Sequence, residues 1–211
     1  MTGIHQGQPV FKLGAPLDEA RAVMLLMHGR GASASSIMEL AAEFDAPGFA
    51  FIAPQAAGNT WYPQSFLASL EANEPYLTSA LQAVGDAVAH IEDAGIGSER
   101  MLLLGFSQGA CLTLEWAARN AQRFGGLAGL SGGLIGPHGT PRDYTGSLGG
   151  TPVFLGCSDV DPHIPLQRVN ETAEVMGKLG GTVDARIYPG MPHTVNRDEL
   201  FAVQALINDL R

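Results

Sequence analysis

The sequence predicts a three-layer α/β fold built on a mainly parallel sheet, and three observations carry that expectation. Short apolar runs alternate with helix-length segments along the chain, the pattern that strand–crossover–strand units produce. The runs at 22–27, 101–104 and 152–155 are continuously apolar, as expected of strands covered on both faces. A length of 211 residues with 45% hydrophobic content is enough for one real core and hardly for two. The chain, 1–211, therefore reads as a single domain, with no internal repeat, low-complexity tract or linker dividing it.

The elements follow in order. Val10–Leu13 and Ala22–Met27 are strand-length runs, Ser35–Glu43 is the first helix-length segment, and Phe49–Ala53 is a strand again. The connection from Pro54 to Glu74 exceeds the usual length of about six residues and carries Trp61-Tyr62-Pro63-Gln64-Ser65-Phe66. In Pro75–Asp93 the residues Leu77, Leu81, Val84, Val88 and Ile91 form one amphipathic stripe. Pro75 at its start and Gly95 beyond its end follow the asymmetry that helices prefer. Met101–Gly105 is a strand, Gln108–Asn120 a helix and Gly126–Leu130 a strand. A second long connection, Ser131 to Thr151, is rich in Gly and Pro. Pro152–Gly156, Pro165–Leu179, Val183–Tyr188 and Arg197–Leu210 complete the alternation. In an open sheet of this kind ligands bind beyond the carboxyl ends of the strands, where such loops gather. Neither long loop suffices for a helical cap domain.

Charge and composition narrow the partners. Twelve Lys and Arg against 21 Asp and Glu leave a net charge of −9, and the basic residues are scattered singly. No patch exists for nucleic acid, and an acidic surface disfavours anionic membranes. No apolar run approaches the roughly 18 residues of a membrane span, and the start, Met1 to His5, lacks the basic and apolar regions of a signal peptide. Cys111 and Cys157 lie in separate apolar settings and read as reduced and buried. These features predict a cytoplasmic protein with no nucleic-acid partner and no stable membrane insertion. The 27 glycines follow no G-X-Y period, so they are expected where turns make tight backbone approaches.

The sharpest chemical signal is Gly105-Phe106-Ser107-Gln108-Gly109, directly after an apolar strand and before a helix. This is the G-x-S-x-G elbow in its strand–turn–helix context. A serine on a strained, sharp turn brings the residues two before and two after it against other backbone, and glycines there remove the clash. A serine hydroxyl needs a base, and the base an orienting acid. His193 follows Val183–Tyr188 on the same sheet edge as Ser107 and is the chosen base. His5 and His90 read as surface residues, His138 lies in the second long loop, and His163 is expected to face elsewhere. The acid is expected between serine and histidine. Asp161, followed by Pro162, is preferred to Asp159, which reads as a loop residue bonding local backbone.

Oxyanion donors are expected from the backbone N–H of Gln108, at a helix N-terminus, and of Arg30 in His28-Gly29-Arg30-Gly31, an H-G-x-G pattern. The Gln108 side chain has the alternative of only capping its helix. A phosphate-cradling role for residues 28–31 lacks the Walker lysine and the G-x-G-x-x-G spacing. No metal site is expected: no H-E-x-x-H occurs, and the cysteines are far apart.

The ordered set His28-Gly-Arg-Gly31, Trp61-Tyr-Pro63, Gly105-Phe-Ser-Gln-Gly109, Ser131-Gly132, Asp161-Pro-His-Ile-Pro165 and Gly190-Met-Pro-His193 resembles the phospholipase/carboxylesterase family. That group of α/β-hydrolases includes acyl-protein thioesterases and small bacterial carboxylesterases. The resemblance runs from Ala22–Met27 to the last helix. It implies the α/β-hydrolase fold, a three-layer sandwich without a cap domain, and no cofactor. It also implies a triad of Ser107, Asp161 and His193 with main-chain oxyanion donors at Arg30 and Gln108. Two departures matter. Gly156-Cys157 stands where many relatives carry His-Gly, a change expected not to touch the triad. Arg30 replaces the apolar residue of the thioesterase branch's H-G-L-G and puts a cation near the entrance, which leans toward smaller or more polar esters. Ser107 argues against the dienelactone hydrolases, which use cysteine. Trp61, Tyr62 and Phe66 are expected to line the substrate pocket, with the alternative that Trp61 and Phe66 merely anchor their loop. The expected activity is a serine carboxylesterase cleaving short- to medium-chain esters, small-molecule substrates, through an acyl-enzyme. A lysophospholipase or acyl-protein thioesterase with the same triad and an inactive hydrolase-fold binding protein are the alternatives. A homodimer through the Trp61–Leu67 loop stays open beside a pocket role for that loop.

Overall fold

The computed structural model describes residues 3–210; Met1, Thr2 and Arg211, included in the single-domain and leader expectations, lie outside the described residues. Seven strands run in chain order as β1 (Val10–Gly14), β2 (Ala22–Met27), β3 (Phe49–Pro54), β4 (Met101–Phe106), β5 (Gly126–Leu130), β6 (Pro152–Ser158) and β7 (Thr182–Tyr188). Five helices accompany them: α1 (Ala34–Ala41), α2 (Tyr76–Asp93), α3 (Gln108–Arg119), α4 (Leu166–Lys178) and α5 (Arg197–Asp209). The strands form one sheet in the order β1-β3-β2-β4-β5-β6-β7. β1 pairs antiparallel with β3, and every other pair is parallel. This is the α/β architecture with a mainly parallel sheet that the alternation of elements predicts, and the one that the family resemblance implies.

Successive strand residues point to opposite faces, so a continuously apolar strand feeds two cores. Val23, Leu25 and Met27 of β2 join the core that contains Val84 of α2, Leu112 of α3 and Val169 of α4. Ala22, Met24 and Leu26 join the core that contains Ile37 of α1 and Val203 of α5. Ser33 and Asn196 start α1 and α5 with reciprocal capping boxes, satisfying N–H groups that a helix start leaves open.

β6 extends two residues past the expected end at Gly156, because β7 pairs with it as far as Ser158↔Tyr188. The long loop between β5 and β6 is held by buried charge. Glu115 of α3 accepts hydrogen bonds from Arg119, Tyr144 and the Ile135 N–H. Arg168 of α4 donates to the Leu134 and Gly136 carbonyls and pairs with Glu171, which also pairs with Arg142. Burial pushes the Glu171 carboxyl up, but the two guanidinium groups bring it below its ordinary range. No helix among the described residues is long and apolar enough to cross a membrane.

His5 corrects the expectation that it lies on the surface. Only 3% of it is exposed. Its Nε2 donates to the Trp61 carbonyl and its Nδ1 accepts from the Ala57 N–H. A segment with no local periodicity is thus fixed by contacts more than fifty residues away.

Candidate active site

Ser107 lies between β4 and α3 with φ 55° and ψ −119°, a left-handed value rare for residues with a side chain. The surroundings enforce it. A Cβ on Gly105 would sit 2.3 Å from the Gly109 carbonyl oxygen, and one on Gly109 would sit 2.1 Å from that of Met27. Only hydrogen fits at either place, so the chain turns sharply and presents the Ser107 hydroxyl at the carboxyl edge of the sheet.

The loops after β6 and β7 open on the same edge. His193 Nε2 lies 2.8 Å from Ser107 Oγ, and His193 Nδ1 lies 2.7 Å from Asp161 Oδ2. The second oxygen of Asp161 accepts from the His163 and Ile164 N–H groups. Burial pushes the Asp161 carboxyl up, but the His193 ring and these two N–H groups together hold it below its ordinary range. Asp159, expected to bond local backbone, instead accepts from the Gly190 N–H at 2.8 Å. It ties the acid's loop to the histidine's loop across the parallel pair β6–β7.

Two further expectations need correction. Cys157 does touch the candidate acid: its Sγ lies 3.9 Å from Asp161 Oδ2. The extension of β6 turns this side chain toward the loop that follows. Burial, with the Asp161 charge beside it, pushes the thiol up to about 12, so it stays protonated and able to donate. His163 does not face elsewhere. Its ring packs edge-on against His193 with centroids 4.9 Å apart, while Phe106 flanks His193 at 5.1 Å. The N–H bonds to Asp161 bend the 161–164 turn inward and carry His163 with it.

The loop after β2 is braced by His28, whose Nδ1 donates to the Gly29 carbonyl while Nε2 accepts from the Ala56 N–H. The Gly31 N–H bonds to Asn59 and the Ala32 N–H to Gly29. The Arg30 N–H comes immediately before these two in the chain. A Cβ on Gly29 would come within 3.4 Å of the Ser107 Cβ, so this backbone runs directly against the serine. Gln108 is the first residue of α3, where N–H groups lack helical partners and the dipole is positive.

In front of Ser107 lies a cavity of about 480 Å³, lined among others by Arg30, Tyr62, Phe66, Cys111, His163 and Ile164. Tyr62 and Phe66 border it. Trp61 does not. It is fully buried, and its Nε1 donates to the His28 carbonyl at 2.9 Å, which makes it the anchor of its loop. The Gln108 side chain likewise does more than cap its helix: Oε1 accepts from the Trp61 N–H and Nε2 donates to the Tyr62 carbonyl. Asn73, which carried no sequence signal, accepts from the Gln64 N–H and donates to the Ser65 carbonyl. Cys111 and Ile164 were also missed as lining residues. Cys111 stands four residues after Ser107, one helical turn on, and that spacing is the signal that points to it. No group of three His, Cys, Asp or Glu able to hold a metal ion occurs among the described residues.

The model of the Phospholipase/Carboxylesterase family matches residues 9–210. The crystal structure of a phospholipase/carboxylesterase from Dyadobacter fermentans DSM 18053 is similar, with a TM-score of 0.93 and 41% identity over 97% of each chain. Acyl-protein thioesterase 1 of Kluyveromyces lactis is 28% identical over 213 residues, 90% of this chain and 92% of that relative. Acyl-protein thioesterase 1 of Gibberella zeae is 36% identical over 118 residues, so the match spans only half of that relative's length. Arabidopsis thaliana SOBER1, at 20% identity and a TM-score of 0.75, shares the fold.

Proposed function

The chain belongs to the phospholipase/carboxylesterase family and is a hydrolase of that family; we propose that it is a serine carboxylesterase cleaving short- to medium-chain esters through an acyl-enzyme. The observation that carries this reading is the unbroken hydrogen-bonded line from Asp161 through His193 to Ser107 at the edge of a cavity. His193 Nε2 takes the proton as Ser107 Oγ attacks the ester carbonyl. Asp161 holds the Nδ1 proton, fixes the ring and stabilises the imidazolium. The N–H groups of Arg30 and Gln108 stabilise the tetrahedral oxyanion, where one donor is worth on the order of 3 kcal/mol. His193 then gives its proton to the departing alcohol. A water, deprotonated by the same nitrogen, releases the acid and restores Ser107.

The names of the fungal relatives favour a second reading, an acyl-protein thioesterase working by the same steps. Arg30 among the residues that line the cavity favours more polar acyl groups. A series of p-nitrophenyl esters from acetate to palmitate, with a palmitoyl thioester beside it, separates the two. Ser107→Ala should lower p-nitrophenyl acetate turnover by roughly 10³-fold or more and abolish labelling by a fluorophosphonate. Full activity in that variant would overturn the assignment of Ser107, and an unmodified protein with neither turnover nor labelling would bring back the reading of an inactive binding protein.

A further inference from the structure

We propose that the Arg30 guanidinium selects esters that carry a carboxylate, such as half-esters of dicarboxylic acids. The inference rests on Ser107 being the nucleophile. Arg30 supplies the sole permanent charge among the described residues that line the cavity, and no Asp or Glu borders it. The Asp161 side chain has no exposed surface and stands behind His193, so a substrate in front of Ser107 meets a cation and not an anion.

That cation is held in place. One terminal nitrogen of Arg30 donates to the Pro63 carbonyl at 2.9 Å and the other to the Gln64 carbonyl. The guanidinium carbon lies 5.9 Å from the centroid of the Tyr62 ring. The accepting loop is itself fixed, since the Gln64 N–H bonds to buried Asn73 and the Tyr62 carbonyl to Gln108. An exposed arginine ordinarily loses much side-chain freedom when it grips an anion. Here that loss has occurred before any ligand arrives. The two carbonyls occupy only part of the donor fork, and the remaining N–H groups are available to a carboxylate.

Location completes the argument. Arg30 follows Gly29, whose backbone packs against Ser107, so the guanidinium lies within one side chain's length of the reacting carbonyl. A carboxylate a few bonds from the ester is within its reach. The rest of the protein is net acidic, which gives anions no comparable site by bulk charge.

The test is the ratio of kcat/KM for mono-4-nitrophenyl adipate to that for 4-nitrophenyl hexanoate, two esters of equal chain length that differ in one charge. In the unmodified protein this ratio should exceed that of Arg30→Gln and Arg30→Met by about fivefold or more, carried mainly by KM of the adipate ester. Arg30→Lys should keep part of the preference. Equal ratios in the unmodified and substituted proteins would overturn the inference, because a merely structural loss lowers both esters alike. Failure of the nucleophile reading looks different: the unmodified protein then hydrolyses neither ester and takes up no fluorophosphonate.

Discussion

Glu199 shows how much one buried group can reveal. It occupies the third position of α5, and its Oε2 accepts from the Asn196 N–H at 2.8 Å. Its Oε1 has no hydrogen-bond partner among the described residues. A Cβ at residue 156 would come within 2.2 Å of that oxygen, so Gly156 makes room for the carboxyl. Burial pushes Glu199 up to about 7. The folded protein thus binds this proton more tightly than the unfolded chain, whose glutamates titrate near ~4.3. The stability linked to it is complete below the unfolded value and is lost as pH rises through about 7. Glu199→Gln keeps an acceptor for Asn196 and removes the titration. The melting temperature of the unmodified protein, relative to that variant, should therefore fall between pH 5 and pH 8, measured by calorimetry on both. At this scale Ser107, His193 and Asp161 were legible in the sequence, since each follows a recognisable strand. His5, His163 and Cys157 were not, because their neighbours come from where loops converge.

At the scale of elements, the start of α3 organises two loops at once. Its backbone presents the proposed oxyanion donor at Gln108, while the Gln108 side chain grips the loop after β3 at Trp61 and Tyr62. Gln108→Ala keeps the backbone N–H and loses only the grip. Removing these buried hydrogen bonds should cost about 1–3 kcal/mol in urea unfolding. The kcat/KM for p-nitrophenyl butyrate should fall by roughly tenfold, chiefly through KM, with fluorophosphonate labelling retained. An equal loss in kcat and none in KM would argue against this positioning role. The helices themselves were legible because apolar stripes and caps are local properties. The grip was not, since a glutamine at a helix start offers no pattern that names a partner 46 residues away.

For the whole molecule, the sheet separates two apolar cores, and the ion pairs around Glu115, Arg142, Arg168 and Glu171 fasten the long β5–β6 loop over one of them. Arg168 is 4% exposed and also lies beside the Phe66 ring, with 5.9 Å between the guanidinium carbon and the ring centroid. The network therefore reaches the cavity wall. Arg168→Met leaves the Leu134 and Gly136 carbonyls without this donor and removes one of the two arginines paired with Glu171. Unfolding free energy from urea titration should drop by about 3–5 kcal/mol. A drop under ~1 kcal/mol would show that Arg168 is not what holds the loop. The Trp61–Leu67 segment, weighed as a contact between copies, keeps Trp61, Tyr62 and Phe66 buried within its own chain.

The amino-acid order alone specifies the α/β layering, the elbow at Ser107 and the strand-end positions of Asp161 and His193. Each of these follows from periodicity, steric need or spacing within a few residues, and such causes are written locally. The fold decides which side chains share the space beyond the strand ends. It buries Trp61 behind the cavity, packs His163 on His193, sets Cys157 against Asp161 and pins Arg30 to the carbonyls of residues 63 and 64. The reason is geometric. Contacts between loops depend on strand order, on where each strand ends and on the directions in which side chains leave it, and those are settled only when the sheet is assembled.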